Sequence, residues 1–176
     1  MRELAVDISG LGFILYSPPA VTHIAEGSDY LEKHFWQPQD VARHVMNCQL
    51  TAFCTGTPGS FLLRFRDGPR DEEAVDSAEF KVRLGLEVHE GVVCVQDLYD
   101  LMQWFADCPE SQQLPMADGW YRLTVYTSRP PSGIFGDNQA IDIYLEAVKE
   151  KPKLRWEGVP TLCHWRRRPP RNVGSM

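Results

Sequence analysis

An antiparallel β-sandwich, mainly β with one or two short helices, is the fold class this sequence predicts. Three observations carry it. Apolar residues recur at every second position in Tyr121, Leu123, Val125 and again in Ile141, Ile143, Leu145, on either side of the Pro- and Gly-rich loop Arg129-Pro-Pro-Ser-Gly-Ile-Phe-Gly-Asp-Asn138. That is the pattern of two half-buried antiparallel strands joined as a hairpin. The same alternation runs through Phe80, Val82, Leu84, Leu86 and Val88. Finally, the 176 residues are 43% hydrophobic and 24% charged, which excludes a disordered chain and suits one domain that buries its own core without disulfides or metal.

The elements follow in order. Leu4, Val6, Ile8 and then Phe13 to Tyr16, interrupted by Gly10 and Gly12, predict one or two opening strands that end at Pro18-Pro19. Residues 20–37 read as a loop carrying Tyr30, Phe35 and Trp36. Pro38 suits the first turn of a short helix holding Val41, Val45 and Met46, the alternative being an irregular run. Gln49 to Cys54 and Phe61 to Arg66 are short strands joined by Thr-Gly-Thr-Pro-Gly, and Asp67-Gly68-Pro69 closes the second. Asp71, Glu72, Glu73, Asp76 and Glu79, with few apolar residues among them, mark an exposed acidic loop. The strand of Phe80 to Val88 turns at Glu90-Gly91 into Val92 to Val95, a hairpin. Val95, Leu98, Leu101, Met102 and Phe105 then recur at intervals of three and four, the spacing of a short amphipathic helix whose other face gathers Asp97, Asp100 and Trp104. After the 118–148 hairpin, whose polar positions Arg122, Thr124, Asp142 and Glu146 are read as solvent-facing, Leu154 to Trp156 form a last edge strand. The expected organisation is a single β-rich domain over residues 1–162 and a basic, Pro-containing, flexible tail over 163–176.

Charge divides the chain at that boundary. The net charge is −6, yet the tail holds Arg166, Arg167, Arg168 and Arg171 and no acid, which leaves 14 basic against 24 acidic side chains in residues 1–162, a net of −10. A body that negative repels nucleic acid and attracts a basic partner by long-range steering. The tail arginines neutralise that body, stay disordered or contact nucleic acid. No run approaches the roughly 20 apolar residues of a membrane span. The opening Met-Arg-Glu-Leu-Ala-Val-Asp has early acidic residues and no apolar core of a signal peptide, so the expected location is the cytoplasm. Five irregularly spaced cysteines, Cys48, Cys54, Cys94, Cys108 and Cys163, suggest neither a disulfide framework nor a zinc site, but small buried hydrophobes in a reducing compartment.

Candidates for chemistry are few. None of His23, His34, His44, His89 and His164 stands in a metal-ligand pair on one element. Cys54-Thr-Gly-Thr-Pro-Gly-Ser60 follows a strand as a phosphate loop does, but it lacks the Lys-Ser/Thr ending and is better read as a turn. No cofactor or metal is expected. Asp97 and Asp100 are open to three readings: an acid/base pair, a solvated helix face, or a partner contact. The contact reading gains from Trp104, because a large aromatic on a polar face wants cover. Ile134 and Phe135 stand at the tip of the hairpin loop beside Asp137 and either fold back on the core or plug a partner's cleft. Asp71, Glu72 and Glu73 are the third candidate contact, the alternative being a merely solvated loop.

The order of an opening strand, an aromatic loop with Trp36 and Pro38, Leu84-Gly-Leu-Glu-Val88, Gly91-Val-Val-Cys-Val95 and Asp118-Gly-Trp-Tyr-Arg-Leu123 before a long hairpin resembles the ComJ-like family of DNA-entry nuclease inhibitors. It is similar also to the immunity proteins that bacteria encode beside antibacterial nuclease toxins, including those of type VI secretion. The likeness spans residues 11–148; the acidic segment 71–79, the helix at 96–106 and the arginine tail depart from it. It implies a non-enzymatic protein that binds a basic toxin, a DNase, one to one and as a monomer, with no nucleic acid or membrane as partner. Two other classes remain beside it: an accessory β-domain that binds a small ligand or joins a larger complex, and an enzyme whose Cys/His site is assembled from distant residues.

Overall fold

The alternating segments fold as nine strands in two sheets among the described residues of this computed structural model, which are 1–68, 70–156, 158 and 160–163. The strands are β1 (Arg2–Ile8), β2 (Gly12–Tyr16), β3 (Leu50–Cys54), β4 (Gly59–Asp67), β5 (Phe80–Val88), β6 (Val92–Asp97), β7 (Gln113–Pro115), β8 (Gly119–Thr127) and β9 (Gln139–Val148). One sheet has the order β1-β4-β9-β8-β5 and is antiparallel except where β4 runs parallel to β9; the other, β3-β2-β6-β7, is antiparallel throughout. Both sheets contribute to one core, the arrangement of a β-sandwich. Leu63, Leu84, Leu86 and Leu123 are fully buried in it, each worth about 1.5–3 kcal/mol relative to exposure.

The 118–148 hairpin forms as its alternation predicts, with Thr127 opposite Ile141 and Trp120 opposite Val148. Two other expected pairings do not. Phe80 to Val88 and Val92 to Val95 belong to different sheets, with an isolated bridge from His89 to Val92 at the turn between them. Likewise Thr-Gly-Thr-Pro-Gly carries the chain from β3 in one sheet to β4 in the other. The reason lies in burial: β6 is buried at its four central positions and β3 at its first four, so both need cover on two faces, which a simple hairpin exposed on one side does not give.

The helices are α1 (Tyr30–His34), α2 (Pro38–Asn47) and α3 (Glu72–Ser77). In α2, Pro38 occupies the first turn, Val41, Ala42 and Val45 are buried, and Cys48 ends the helix in a left-handed conformation with φ 61°. The Cys48 carbonyl then accepts the Glu87 backbone N–H at 2.7 Å, which ties the helix to the edge strand β5. Helix α1 lies inside the segment read as loop; Asp29 caps it by accepting from the Glu32 N–H at 2.9 Å.

The acidic segment corrects the expectation of an exposed loop. Asp71 accepts from the Ala74 N–H at 3.1 Å and starts α3, whose Val75 is buried against Tyr126 and Tyr144. Those two rings stack at 5.8 Å on the outer face of the hairpin. Covered in this way, that face is only partly solvent-facing: Thr124 and Asp142 are buried, and Asp142 is held between Arg64 and Arg66, while the Arg122–Glu146 pair at 3.2 Å remains exposed. The segment Leu154 to Trp156 forms no strand, although Leu154 and Trp156 pack half-buried on the core. Instead Thr161 bridges Cys54, with hydrogen bonds from the Cys54 N–H to Pro160 and from the Leu162 N–H back to Cys54, both 2.8 Å. The arginine tail, from His164 onward, lies outside the described residues. No helix among the described residues is long and apolar enough to cross a membrane.

Candidate partner-binding surface

Residues 97–105 decide where an interface can lie. Leu98–Met102 is a 3-10 helix, not the α-helix that the spacing predicts. With three residues per turn in place of 3.6, side chains three apart share a face. Within this helix Leu98 and Leu101 consequently pack inward and Tyr99 and Met102 turn outward; beyond its end, Trp104 packs inward and Phe105 turns outward. Trp104, expected as an exposed anchor, is 1% exposed, sits 5.4 Å from the Tyr16 ring and belongs to the core. Its backbone is fixed too, donating to Ser28 O at 3.0 Å and accepting from the Gly27 N–H at 2.7 Å, which docks this segment onto the chain leading into α1.

Asp97 is likewise committed to structure. Its carboxylate accepts the backbone N–H groups of Ser9 at 2.8 Å, Gly10 at 3.0 Å and Tyr99 at 3.0 Å, and the Ser9 hydroxyl at 3.2 Å. A Cβ on Gly10 would strike that carboxylate, so the bare backbone is what admits it. Asp97 thereby caps the 3-10 turn and holds the break between β1 and β2. Asp100, by contrast, is exposed, and its carboxyl is pushed up by desolvation and by the neighbouring charge of Asp97.

The outward residues leave large apolar side chains exposed. Tyr99 is 39% exposed, Met102 50% and Phe105 52%, and Trp36 beside them is 64% exposed. Trp36, Tyr99 and Met102 line a groove of about 590 Å³ whose acidic members are Asp29 and Glu32. Phe105 shares a separate hollow of about 470 Å³ with Asp100 and Asp107. Both hollows thus combine exposed apolar side chains with carboxylates, the two chemistries that an interface core and its polar rim use. Of this set the sequence singled out Asp100 alone; the missed signal was the three-residue spacing of Tyr99, Met102 and Phe105.

The remaining candidates gather on a second surface. Ile134 is 65% exposed, but Phe135 folds back, its ring 5.6 Å from Phe80 and 5.1 Å beneath the Arg129 guanidinium. Asp137 is exposed. The loop is pinned where Gly136 meets Gly59: the Ser60 N–H donates to Gly136 O at 2.8 Å, and a Cβ on Gly59, at φ 150°, would strike that same oxygen. Arg129 pairs with Glu79 at 3.6 Å, and α3 and the loop border one hollow of about 280 Å³. The acidic segment and the loop tip therefore adjoin. Asp71 is spent on its cap, Glu72 pairs with Arg70 at 2.6 Å, and Glu73 is exposed.

The thiols and imidazoles that a catalytic reading would use sit in varied surroundings. Burial pushes the Cys54 thiol up and the Cys48 and Cys163 thiols up to about 11, which keeps them protonated at neutral pH. Cys94 shares a hydrogen bond with Cys108, which lowers the first thiol and raises the second. The Cys54–Ser60 stretch is a turn, with the Thr55 hydroxyl donating to Thr57 O at 2.8 Å. His89 stands 3.1 Å from Glu87. Unforeseen in the sequence is a polar chain beside α1: His44 Nδ1 donates to Asp40 O at 2.7 Å, so neutral His44 accepts from the Tyr30 hydroxyl at 2.7 Å, and Tyr30 in turn stands 3.3 Å from His23 Nε2. Among the described residues no group of three or more His, Cys, Asp or Glu is placed to hold a metal.

Neither a protein-family model nor a curated protein sequence matches this chain. Among solved structures, it is similar to ComJ from Bacillus subtilis, described as an inhibitor of the DNA-degrading activity of NucA, at 14% identity and a TM-score of 0.48 over 84% of this chain and 96% of that one. It is similar too to a protein described as crocagin biosynthetic gene J, at 13% identity and a TM-score of 0.47 over 82% of this chain and 98% of the other.

Proposed function

We propose that this chain is an inhibitor: an immunity protein that binds a basic nuclease toxin, of the kind delivered by type VI secretion, one to one in the cytoplasm and neutralises it by protein–protein contact. The observation that carries the reading is the exposure of Trp36, Tyr99 and Met102 in a groove with Asp29 and Glu32, and of Phe105 in a hollow with Asp100 and Asp107. A nuclease cleft must be basic to grip the DNA backbone, so a body of net −10 is steered toward it. Once there, exposed aromatic and thioether side chains supply the desolvated anchors that charge alone does not.

Within this reading Asp97 acts by holding Tyr99 in place, and Asp100 contacts the partner directly. Ile134, Phe135 and Asp137 with Asp71, Glu72 and Glu73 form a second, more polar area for a partner large enough to reach it. The test is to find whether a nuclease is encoded beside this gene and to titrate its DNA hydrolysis with the chain; a gene with no such neighbour would count against the proposal. Activity is expected to fall linearly to zero at one equivalent of the chain. Undiminished hydrolysis at a tenfold excess would overturn the proposal.

A further inference from the structure

We infer that the groove of Trp36, Tyr99 and Met102 receives an arginine side chain of the partner. The inference rests on the docking reading above and specifies what enters the site. The groove has apolar walls and two carboxylates, Asp29 and Glu32, and none of the residues lining it is basic. Asp29 gives one oxygen to the α1 cap, while Glu32 makes no side-chain hydrogen bond or ion pair among the described residues. Uncompensated charge beside exposed apolar surface is complementary to one side-chain class, a cation on an apolar stem.

Arginine fits better than lysine for two reasons. Its guanidinium is planar and weakly hydrated, so it stacks on an aromatic ring, and the Trp36 indole is 64% exposed. Its donors also form a fork, able to reach a carboxylate while the stem lies along Met102. The volume of about 590 Å³ leaves room for the whole side chain. A nuclease that binds phosphates presents such arginines at its cleft, so occupation of the groove removes a DNA contact directly.

The test uses the full chain, labelled for NMR, and the tripeptide Ac-Gly-Arg-Gly-NH2 at low salt. Saturable shifts are expected at the Trp36 indole N–H and at the amides of Glu32 and Tyr99. The citrulline peptide, equal in shape and uncharged, is expected to bind about tenfold more weakly or worse, with the lysine peptide between the two. Trp36→Ala and Glu32→Gln, both on the surface, should abolish the shifts without altering the spectrum elsewhere. Equal response to arginine and citrulline, or shifts confined to other surfaces, would overturn the inference. A nuclease inhibited equally by the parent chain and by both variants would also overturn it, while leaving the inhibitor reading intact.

Discussion

Asp97→Ala is expected to unfold this protein more easily than any other single carboxylate change on its surface. The side chain accepts three backbone N–H groups, those of Ser9, Gly10 and Tyr99, all within 3.0 Å. Alanine leaves all three without their acceptor. A capping bond of this kind is worth about 1 kcal/mol, and hydrogen bonds to a charged group about 1.5–3 kcal/mol. Ser9 is exposed, so water recovers part of the loss, and a net cost of about 2–4 kcal/mol follows. For a chain of this length each kcal/mol lowers Tm by roughly 2–4 °C, so Asp97→Ala should melt about 5–15 °C below the parent. Differential scanning calorimetry measures it, with Asp100→Asn as the control, since that exposed carboxylate makes no comparable set of bonds and should melt within a degree or two of the parent. A variant of Asp97 that melts with the parent would refute the clamp.

Three further outcomes follow from the same geometry. Trp104→Ala removes a fully buried indole and should cost about 3–5 kcal/mol in denaturant unfolding, whereas Trp36→Ala should leave unfolding unchanged and weaken nuclease binding at least about tenfold. Val75→Ala strips α3 of its buried contact with Tyr126 and Tyr144 and should cost about 2 kcal/mol, with faster amide exchange over residues 72–77. His44 is held neutral by burial, with Asp40, Arg43 and His23 as its charged or titratable neighbours, and its folded pKa lies below the ordinary 6.5. The unfolded chain therefore takes up the proton first, so stability is full above about pH 6.5 and falls as the pH drops through that value; a melting series from pH 7.5 to 5 checks the slope, which His44→Gln should flatten.

How far the sequence reveals this molecule depends on whether the informative period is local. Strict alternation identified β5, β8 and β9, because a two-residue repeat over nine or so positions has no competing explanation. Partnership was not visible: β5 and β6 look like a hairpin but cross between sheets, since pairing is decided by which faces need covering and not by the turn. Residues 95–105 show the limit most clearly. The apolar positions fit both a three- and a four-residue interval, and the choice of 3.6 placed Trp104 outside and Met102 and Phe105 inside, the reverse of the structure. The acidic segment misled for another reason, because one Val75 among carboxylates suffices to dock a helix when two stacked tyrosines wait beneath it. The candidate site inherits this pattern. Asp100 was legible as an exposed carboxylate, but Asp97 was not legible as a clamp, because its partners at Ser9 and Gly10 are some ninety residues away.

Hydrogen–deuterium exchange of the chain, alone and with a nuclease that it inhibits, tests the central claim most directly. The inhibitor reading predicts protection concentrated in residues 29–37 and 99–107, with lesser protection at 71–79 and 132–137. Protection confined to other segments, or none at a nuclease concentration that saturates binding, would contradict it.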